Sequence, residues 1–389
     1  YDALHGRGDR THQQQPANAG SDDGQDQRND HAALGGGHGA DDVFGGYIGR
    51  FPIAFDHGVE VLAPFNPGGR QHVGDQALGF GVVLLPVGLQ HELRAEEAVV
   101  LDGAELDLSY SHPSQPRFRR NLIRMVERLS GQPKLRSLYT GWAASPASRY
   151  EPVFEAAMRL LNLRLEVHRK DRLESLPREG GLLLVANHPF GIVDGLSLGQ
   201  FGMALRGNVA IMTNSLLCRV PEVEPYLLPV DFSGTTEARR LTGETRRRAA
   251  DLVLAGKVVA IFPAGGIATA NRPMKGAAVV AAWHPFVGRL AALPGVTTLP
   301  LHFQGQNSRL FQIASHSSYP LRLALIFHET RRRMGKSVHV TVGQPLASEE
   351  LRKLDRSCVA ETLRRRCMEL AEGASVDPDE VFIWPPHLR

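Results

Sequence analysis

The sequence predicts an α/β fold in which helices flank a mostly parallel central sheet. Short apolar runs typical of buried strands alternate along the chain with segments whose apolar residues recur at helical spacing. Two of the apolar runs, residues 182–186 and 257–262, end in loops rich in glycine and proline. Ligands of open α/β sheets bind outside the carboxyl ends of the strands, so these loops are the first candidates for a functional site.

Four segments of the chain differ in composition. Residues 1–108 are predicted to be a low-complexity, disordered extension, because the start of the chain is dominated by Gly, Asp, Gln, His and Asn and lacks apolar periodicity. Residues 109–165 are predicted to form a helical N-terminal element and 166–345 the α/β domain. Residues 346–389 are predicted to form a C-terminal helix and tail.

The extension also has an unusual start. The chain begins with Tyr1, its first methionine is Met125 and its first lysine is Lys134. We therefore hypothesise that residues 1–108 are not native and come from a translated upstream stretch or from a start site placed too early. N-terminal sequencing of the native protein tests this hypothesis, and a natural start near Tyr1 would reject it.

The composition excludes several classes of protein. A hydrophobic content of 42% supports a buried core, and a net charge of only +3 is no signature of a nucleic-acid partner. The cysteines, Cys218, Cys358 and Cys367, lack paired or metal-like spacing, which fits a reducing compartment. No apolar run approaches the roughly 20 residues of a membrane span, and no secretion signal is present. We therefore expect a cytosolic protein that attaches at most to a membrane surface.

The helical N-terminal element begins with a basic amphipathic helix after Pro116. Its apolar residues recur at helical spacing among arginines, and Gly131 ends it. The apolar positions are Phe118, Leu122, Ile123, Val126 and Leu129. Such a helix either lies on an anionic membrane surface or packs on the domain, and the sequence leaves both interpretations open. A second helix over 151–163 has one apolar face, which favours packing in the core.

The α/β domain is predicted from elements that alternate in order along the chain. Residues 163–168 alternate as a strand, and 196–205 form the helix that follows the central strand. Residues 208–213 form the next strand, and an arginine-rich helix is predicted over 237–255. The segment 277–290 is predicted to be a helix followed by a turn.

Three more strands and one helix complete the prediction. The strands are expected at 296–303, 321–327 and 337–342, with Pro300 marking an edge or a bend in the first of them. A final helix is expected over about 348–372, because it starts with a serine and two glutamates, which favour a helix N-terminus.

The strongest chemical signal follows the strand at 182–186. Asn187 and His188 stand where that strand ends, and Pro189 prevents its continuation as a central strand. Gly191 loosens the turn before Asp194. A histidine followed by a nearby aspartate is a candidate general base with an orienting carboxylate. The alternative is a histidine that only ends the strand.

These residues resemble the motifs of a known family. Asn187 and His188 followed by Asp194 resemble the first block of the glycerolipid (lysophospholipid) acyltransferase superfamily. The segment Ile-Phe-Pro-Ala-Gly-Gly at 261–266 resembles its Phe-Pro-Glu-Gly block. The segment Phe-Gln-Gly-Gln-Asn-Ser-Arg-Leu-Phe at 303–311 is similar to a divergent, haemolysin-like bacterial branch. The resemblance covers about residues 112–345.

Two positions depart from the superfamily pattern. Five residues separate His188 from Asp194 where the superfamily has four, and Ala264 occupies the position of the usual glutamate. That glutamate helps to hold the polar end of the acceptor in the superfamily, so its loss implies a different arrangement for the acceptor here.

The resemblance implies an O-acyltransferase. It would move a fatty acyl group from acyl-CoA or an acyl carrier protein to the hydroxyl of a lysophospholipid-type acceptor, or of another hydroxylated lipid such as a lyso-aminolipid. His188 would act as the base and Asp194 would orient it. The candidate substrate-binding residues are Asn187, Gly191, Arg219, Phe262, Pro263, Gly265, Gly266, Asn307 and Arg309.

The candidate substrate-binding residues are proposed for different chemical reasons. The glycine-rich loop at 262–266 can bring backbone N–H groups close to a phosphate or an oxyanion. Arg219 and Arg309 suit an anionic head group, because guanidinium binds phosphate in a bidentate manner. No metal site and no cofactor are expected, and no Gly-x-Ser-x-Gly elbow is present.

The expected partners are a lipid acceptor, a membrane surface and an acyl carrier protein, with a peripheral location on the cytoplasmic face of the inner membrane. Two other functions fit the same residues: an acyl thioester or lipid hydrolase, in which water replaces the acceptor, and a catalytically silent lipid-binding protein. The second is favoured if the side chains of His188 and Asp194 point apart by more than the reach of one water molecule.

Overall fold

A computed structural model describes residues 116–231, 235–371 and 377–385 of the chain. The predictions of a disordered extension over 1–108 and of a non-native start fall on residues outside these ranges. The helices of the described segments are α1 (Arg117–Ser130), α2 (Gln132–Ala143), α3 (Val153–Leu160), α4 (Ile192–Arg206), α5 (Thr236–Leu254), α6 (Pro285–Ala291), α7 (Arg309–Ser317), α8 (Tyr319–Ala324), α9 (Ile326–Arg333), α10 (Ser348–Leu351) and α11 (Val359–Met368).

Strands of the described segments form one sheet with the order β1-β7-β6-β2-β5-β3-β4, and β8 pairs with β6 beside this path. Their bounds are β1 (Arg164–His168), β2 (Gly181–Ala186), β3 (Ala210–Asn214), β4 (Leu227–Val230), β5 (Val258–Ile261), β6 (Val296–Phe303), β7 (Ser337–Val342) and β8 (Leu346–Ala347). Helices separate most of these strands along the chain, which is how neighbouring strands come to run parallel.

The centre of the sheet is parallel. β2 lies between β5 and β6, where Leu184 is opposite Ala260 on one side and Leu299 on the other. β3 is parallel to β5 and to β4, while β7 is antiparallel to β6. All six residues of β2 are buried, as expected for an apolar strand that is covered on both faces. The predicted α/β fold with a mostly parallel sheet is therefore confirmed.

Helices cover both faces of the sheet. On one face Leu184 belongs to a core cluster with Phe154 of α3 and Phe201 of α4. On the other face Val185 belongs to a cluster with Val253 of α5 and with residues of α6 and α11. Successive residues of β2 thus alternate between the two cores, which fixes the orientation of the polar residues that follow the strand.

The predicted strand at 321–327 is wrong, because α8 and α9 occupy this segment. The serine Ser318 caps α8 by accepting a hydrogen bond from the backbone N–H of Leu321, and Pro320 lies in the first turn. Both features favour the start of a helix over a strand. The apolar residues of the segment are therefore arranged at helical spacing around the buried Arg322.

The prediction of a helix followed by a turn over 277–290 is wrong, because the helix α6 begins only at Pro285, where the side chain of His284 caps it by accepting from the N–H of Phe286. Two further predictions need correction. The final helix does not run unbroken, because Asp355 accepts a hydrogen bond from the backbone N–H of Ser357 in a turn between α10 and α11. Of the two alternatives predicted for Pro300, an edge or a bend, the edge is wrong, because Pro300 lies in β6, an interior strand. Its carbonyl accepts from the N–H of Gly343, in the turn where β7 ends and before β8 begins. An N–H at this position would point to the same side of β6, between the end of β7 and the start of β8. The missing N–H of proline therefore costs no hydrogen bond between strands.

The basic amphipathic helix forms as predicted and is followed directly by α2, which was not predicted. Gly131, with a φ of 103°, ends α1 and lets the chain turn into α2. α1 contacts α8 and α9 and buries Ile123, while Phe118 and Leu129 stay exposed. Packing on the domain therefore accounts for one face of α1. Across the described segments, no helix combines the length and the apolar character that crossing a bilayer requires.

Candidate active site

Loops from four strands meet at one edge of the sheet. Because β2, β3, β5 and β6 run parallel, the segments that follow them leave from the same edge. These segments contain His188 after β2, Arg219 after β3, Phe262 after β5 and Asn307 after β6. The segments that contain these four predicted site residues therefore leave the sheet at its carboxyl edge, where ligands of such sheets bind.

A histidine and an aspartate form the centre of this edge. The Nδ1 atom of His188 lies 3.0 Å from Oδ2 of Asp194, whose side chain is fully buried. The same Oδ2 accepts hydrogen bonds from the backbone N–H groups of Phe190 at 2.7 Å and of Gly191 at 3.1 Å. Asp194 lies in the first turn of α4, where the helix dipole favours a negative charge. The carboxylate of Asp194 thus contacts the imidazole of His188 and also stabilises the start of α4.

The turn explains why five intervening residues allow this contact. Gly191 has a φ of 81° and precedes the first residue of α4. This left-handed backbone is strained for other residues, and a Cβ there would also lie 2.9 Å from Ile267. The chain therefore turns sharply after Pro189, and this turn brings the carboxylate of Asp194 into contact with the imidazole of His188.

The two side chains are close but not ideally aligned. Within the described residues, Nδ1 of His188 and Oδ1 of Asp194 are buried without an aligned hydrogen-bond partner. The 3.0 Å separation of Nδ1 and Oδ2 is therefore a close contact that does not meet the geometry of a hydrogen bond. Catalytic hydrogen bonds often tighten when the substrate binds.

The second motif packs directly on the histidine. The ring of Phe262 stacks on the imidazole of His188 with centroids 4.1 Å apart and planes 23° apart. The carbonyl of His188 accepts a 2.7 Å hydrogen bond from the backbone N–H of Ala268. The histidine side chain remains 19% exposed, so it is held from two sides and still reachable from solvent.

The remaining residues of the second motif shape its loop. Pro263 is buried and its carbonyl accepts from the N–H of His284 at 3.1 Å. Gly265 has a φ of 66°, and its N–H donates to the carbonyl of Phe262 at 3.0 Å. A Cβ added at Gly266 would lie 3.7 Å from Trp384, so the C-terminal segment approaches this loop.

The asparagine before the histidine binds the neighbouring strand. The side-chain amide of Asn187 donates to the carbonyl of Phe303 at 2.8 Å, and its oxygen accepts from the N–H of Phe303 at 2.6 Å. Both polar groups of the buried side chain contact the backbone of β6. The structure therefore gives Asn187 a role in aligning the ends of β2 and β6, while its contact with a substrate stays a prediction.

The head-group candidates have different surroundings. Arg219 is exposed at the end of a short 3-10 helix after β3. Arg309 is exposed at the start of α7 and donates to the carbonyl of Gly276 at 3.0 Å. Asn307 is buried, and neither polar atom of its side chain has a hydrogen-bond partner within the described residues. Buried polar atoms are rarely left in this state, which makes Asn307 the most suggestive of the three for a ligand.

A buried arginine that the sequence did not reveal supports the second motif. Arg322 of α8 donates to the hydroxyl of Thr269 at 2.6 Å and to the carbonyl of Ile267 at 2.5 Å. Its guanidinium lies 4.9 Å from the centre of the Phe311 ring and 5.0 Å from that of the Trp384 ring. Burial lowers the pKa of Arg322 to about 10. Arg322 binds this loop at Ile267 and Thr269, and Ala268 of the same loop binds the carbonyl of His188. Arg322 therefore supports the histidine indirectly, through the loop.

A half-buried arginine and a buried glutamate of α9 were also not predicted from the sequence. Arg333 of α9 lies over the ring of Phe190 at 3.9 Å. Burial lowers the pKa of its guanidinium, and the nearby carboxylate of Asp194 opposes that shift. Glu329 of α9 accepts hydrogen bonds from the backbone N–H and the hydroxyl of Ser308 and so fixes the loop after β6. For Arg322 the sequence signal was a charged residue within the apolar run at 321–327, whereas Glu329 and Arg333 lie in the charged segment that follows it.

The architecture first defines a class of enzyme. A histidine with a buried carboxylate partner, at the carboxyl edge of a parallel sheet, is typical of general-base chemistry. Around this edge, no three His, Cys, Asp or Glu side chains of the described segments converge as metal ligands.

Comparisons with known proteins then give the family. The family model described as "Acyltransferase" matches residues 146–369, more than half of the chain. The chain is 28% identical over 203 residues to a lyso-glycine lipid O-acyltransferase of Phocaeicola vulgatus, covering 49% of this chain and 67% of the relative. It is 27% identical over 203 residues to the protein of the same name from Bacteroides thetaiotaomicron, covering 49% and 69%. The chain belongs to the acyltransferase family, and the enzyme class implied by its motifs is confirmed.

Proposed function

We propose that the chain transfers a fatty acyl group from an acyl thioester, carried by coenzyme A or an acyl carrier protein, to the hydroxyl of a lysolipid. The observation that carries this proposal is the 3.0 Å contact between His188 and Asp194 at the carboxyl edge of β2. A catalytically silent protein would be favoured by side chains that point apart, and this separation gives no support to that alternative.

The geometry supports a direct attack with His188 as base. Because Nδ1 faces Asp194, Nε2 is the nitrogen available to take the proton from the acceptor hydroxyl. The hydroxyl oxygen attacks the thioester carbonyl, and the carboxylate of Asp194 stabilises the imidazolium that forms. Collapse of the tetrahedral intermediate breaks the C–S bond, and the proton held by His188 passes to the thiolate. Positioned proton transfer of this kind contributes typically about 10²- to 10⁴-fold to the rate.

The acceptor is proposed to be a lyso-aminolipid rather than a lysophospholipid. Both similar proteins are named for a lyso-glycine lipid acceptor. The position that is glutamate in the Phe-Pro-Glu-Gly block is Ala264 here, which supports a different contact with the polar end of the acceptor. Asn307, Arg219 and Arg309 are the groups proposed to bind that end, because they follow β6 and β3, which run parallel to β2 and end at the same edge of the sheet.

A membrane surface is the proposed location of the reaction, on the cytoplasmic face of the inner membrane. One stripe of α1 is apolar and exposed: Phe118 81%, Leu122 42%, Met125 52% and Leu129 74%. The exposed residues Arg117, Arg124 and Arg128 run along one flank of that stripe. An apolar stripe beside a row of cations is the pattern of a helix that lies in the interface of an anionic bilayer.

A panel of acceptors and donors tests the reaction. The full chain would be incubated with palmitoyl-CoA or palmitoyl acyl carrier protein, and with a lyso-glycine lipid or lysophosphatidic acid, and products followed by mass spectrometry. We expect acceptor-dependent diacyl product, most of it from the lyso-glycine lipid. Diacyl product mostly from lysophosphatidic acid would contradict the proposed acceptor, and free fatty acid without an acceptor would identify a hydrolase.

A further inference from the structure

Three side chains that can bind a metal converge on the outermost strand β1 and its neighbour β7, outside the site described above. Glu166 and His168 lie on β1, and His339 lies on β7. The Nδ1 atom of His339 is 3.0 Å from Nε2 of His168 and 3.3 Å from Oε2 of Glu166. The ligand atoms of all three residues lie within 4.8 Å of one another.

The backbone of the strands fixes this arrangement. Glu166 lies opposite His339 in the parallel pair of β1 and β7, and His168 follows two residues later on the same face. Strand pairing therefore holds three side chains side by side without help from a loop. Sequence spacing could not reveal the group, because the two strands are far apart along the chain.

The group is separate from the histidine–aspartate pair. Val338 and Val340, on either side of His339, belong to the core cluster on the face of Phe190 and Val193, so His339 points to the opposite face. In the strand order, β7 and β6 stand between β1 and β2, which corresponds to about 14 Å at about 4.8 Å per strand.

Elementary bonding favours a cation between these atoms. Each neutral imidazole can hold its proton on the ring nitrogen that faces away from the group, and in these tautomers the two facing nitrogens and the carboxylate of Glu166 are three electron donors around His339. A single shared proton can join only two of the three atoms in a good hydrogen bond. Ligands bound to zinc at about 2.0–2.1 Å in a tetrahedron lie about 3.3 Å apart, close to the 3.0 and 3.3 Å seen here.

We propose that Glu166, His168 and His339 form a zinc site. Two imidazoles and one carboxylate are a ligand set that zinc uses in proteins, with water in the fourth position. The ion would join β1, the edge strand, to β7 and so hold the N-terminal side of the domain to its C-terminal side. Its role is to stabilise this edge, and acyl transfer is expected to proceed without it.

Metal titration tests the proposal on the full chain, with purification tags removed. The protein would be treated with a chelator and titrated with Zn²⁺ by calorimetry and with Co²⁺ by visible absorption. We expect one equivalent of Zn²⁺ to bind, the strong absorption of tetrahedral Co²⁺ to appear, and the melting temperature to rise. His168→Ala and His339→Ala should each weaken Zn²⁺ binding at least tenfold, while His328→Ala, which changes a half-buried histidine of α9, should not.

Several results would overturn the zinc site. They are a wild-type chain that binds no Zn²⁺, and variants of His168 and His339 that bind it as tightly as wild type. If either alanine variant fails to fold, Glu166→Gln at an exposed position carries the same test, and unchanged Zn²⁺ affinity there would also overturn the proposal. Loss of acyl transfer in the chelated protein would contradict the separation of the two sites.

Discussion

The ring of Phe262 lies against the imidazole of His188, with the two centroids 4.1 Å apart. The two residues come from different motifs, and they meet because β2 and β5 are neighbours that run parallel. The imidazole is thereby held between an aromatic face and the carboxylate of Asp194. One motif supplies the candidate base, and the other limits how that base can move.

Replacing the aromatic ring should loosen the base. We expect Phe262→Leu to lower kcat about tenfold and to leave KM less affected, because a stacked aromatic pair contributes about 0.5–1.5 kcal/mol. Steady-state kinetics at several pH values measure the effect. The matched control is Phe154→Leu, a buried phenylalanine whose aromatic partner is Tyr226. Equal loss of kcat in both variants would indicate a general packing defect and contradict a positioning role for Phe262.

Asp194→Asn separates the charge of the side chain from its backbone contacts. The amide oxygen can still accept from the N–H groups of Phe190 and Gly191, so the start of α4 should persist. The negative charge beside His188 is lost, and we expect kcat to fall by about 10²- to 10⁴-fold. Kinetics and thermal melting should be measured together. A variant with wild-type kcat would contradict a catalytic role for the charge of Asp194. The side chain would then only stabilise the start of α4.

Cys367 predicts a weakness at alkaline pH. Burial raises the pKa of its thiol to about 12, from an ordinary value near 9. Between these values the unfolded chain loses a proton that the folded chain keeps, so the free energy of unfolding falls as pH rises, by up to about 1.4 kcal/mol per pH unit. Urea unfolding from pH 8 to 10.5 measures this slope. Cys367→Ala should have a shallower slope, and identical slopes would contradict the assignment.

Binding to vesicles tests the exposed stripe of α1. Phe118→Asp combined with Leu129→Asp should weaken co-sedimentation with anionic vesicles more than tenfold, because each buried large apolar side chain contributes about 1.5–3 kcal/mol. Added salt should weaken the wild-type interaction through the flanking arginines. Met274→Asp is the control, since Met274 is also exposed but lies elsewhere. An equal effect of the control, or vesicle binding unchanged in the double variant, would contradict a specific role for α1.

The parts of the fold that depend on local sequence were predictable. Buried parallel strands read as apolar runs, and the loops that end them carry Gly and Pro, so the strand at 182–186 and its histidine could be placed from the sequence. The predicted strand at 321–327 is wrong because an apolar run with β-branched and aromatic residues is compatible with a strand or with a helix. Its capping serine and proline were the decisive local signals.

The supporting shell of the site could not be predicted, because it depends on contacts between distant segments. Asn187 binds the backbone of Phe303, and Arg322 binds the loop around Thr269. Nothing in the local sequence distinguishes a buried arginine with such contacts from a solvated one. The motifs therefore give the reacting groups, while the fold gives the groups that hold them.

The most direct test of the central claim is the rate of acyl transfer to a lysolipid acceptor by His188→Ala, compared with wild type and with His328→Ala. Single-turnover measurements with saturating acyl thioester would report the chemical step. We expect His188→Ala to lose about 10²-fold or more in that rate, with thioester binding and melting temperature retained, and His328→Ala to match wild type. Diacyl product formed by His188→Ala at the wild-type rate would contradict a general base at His188.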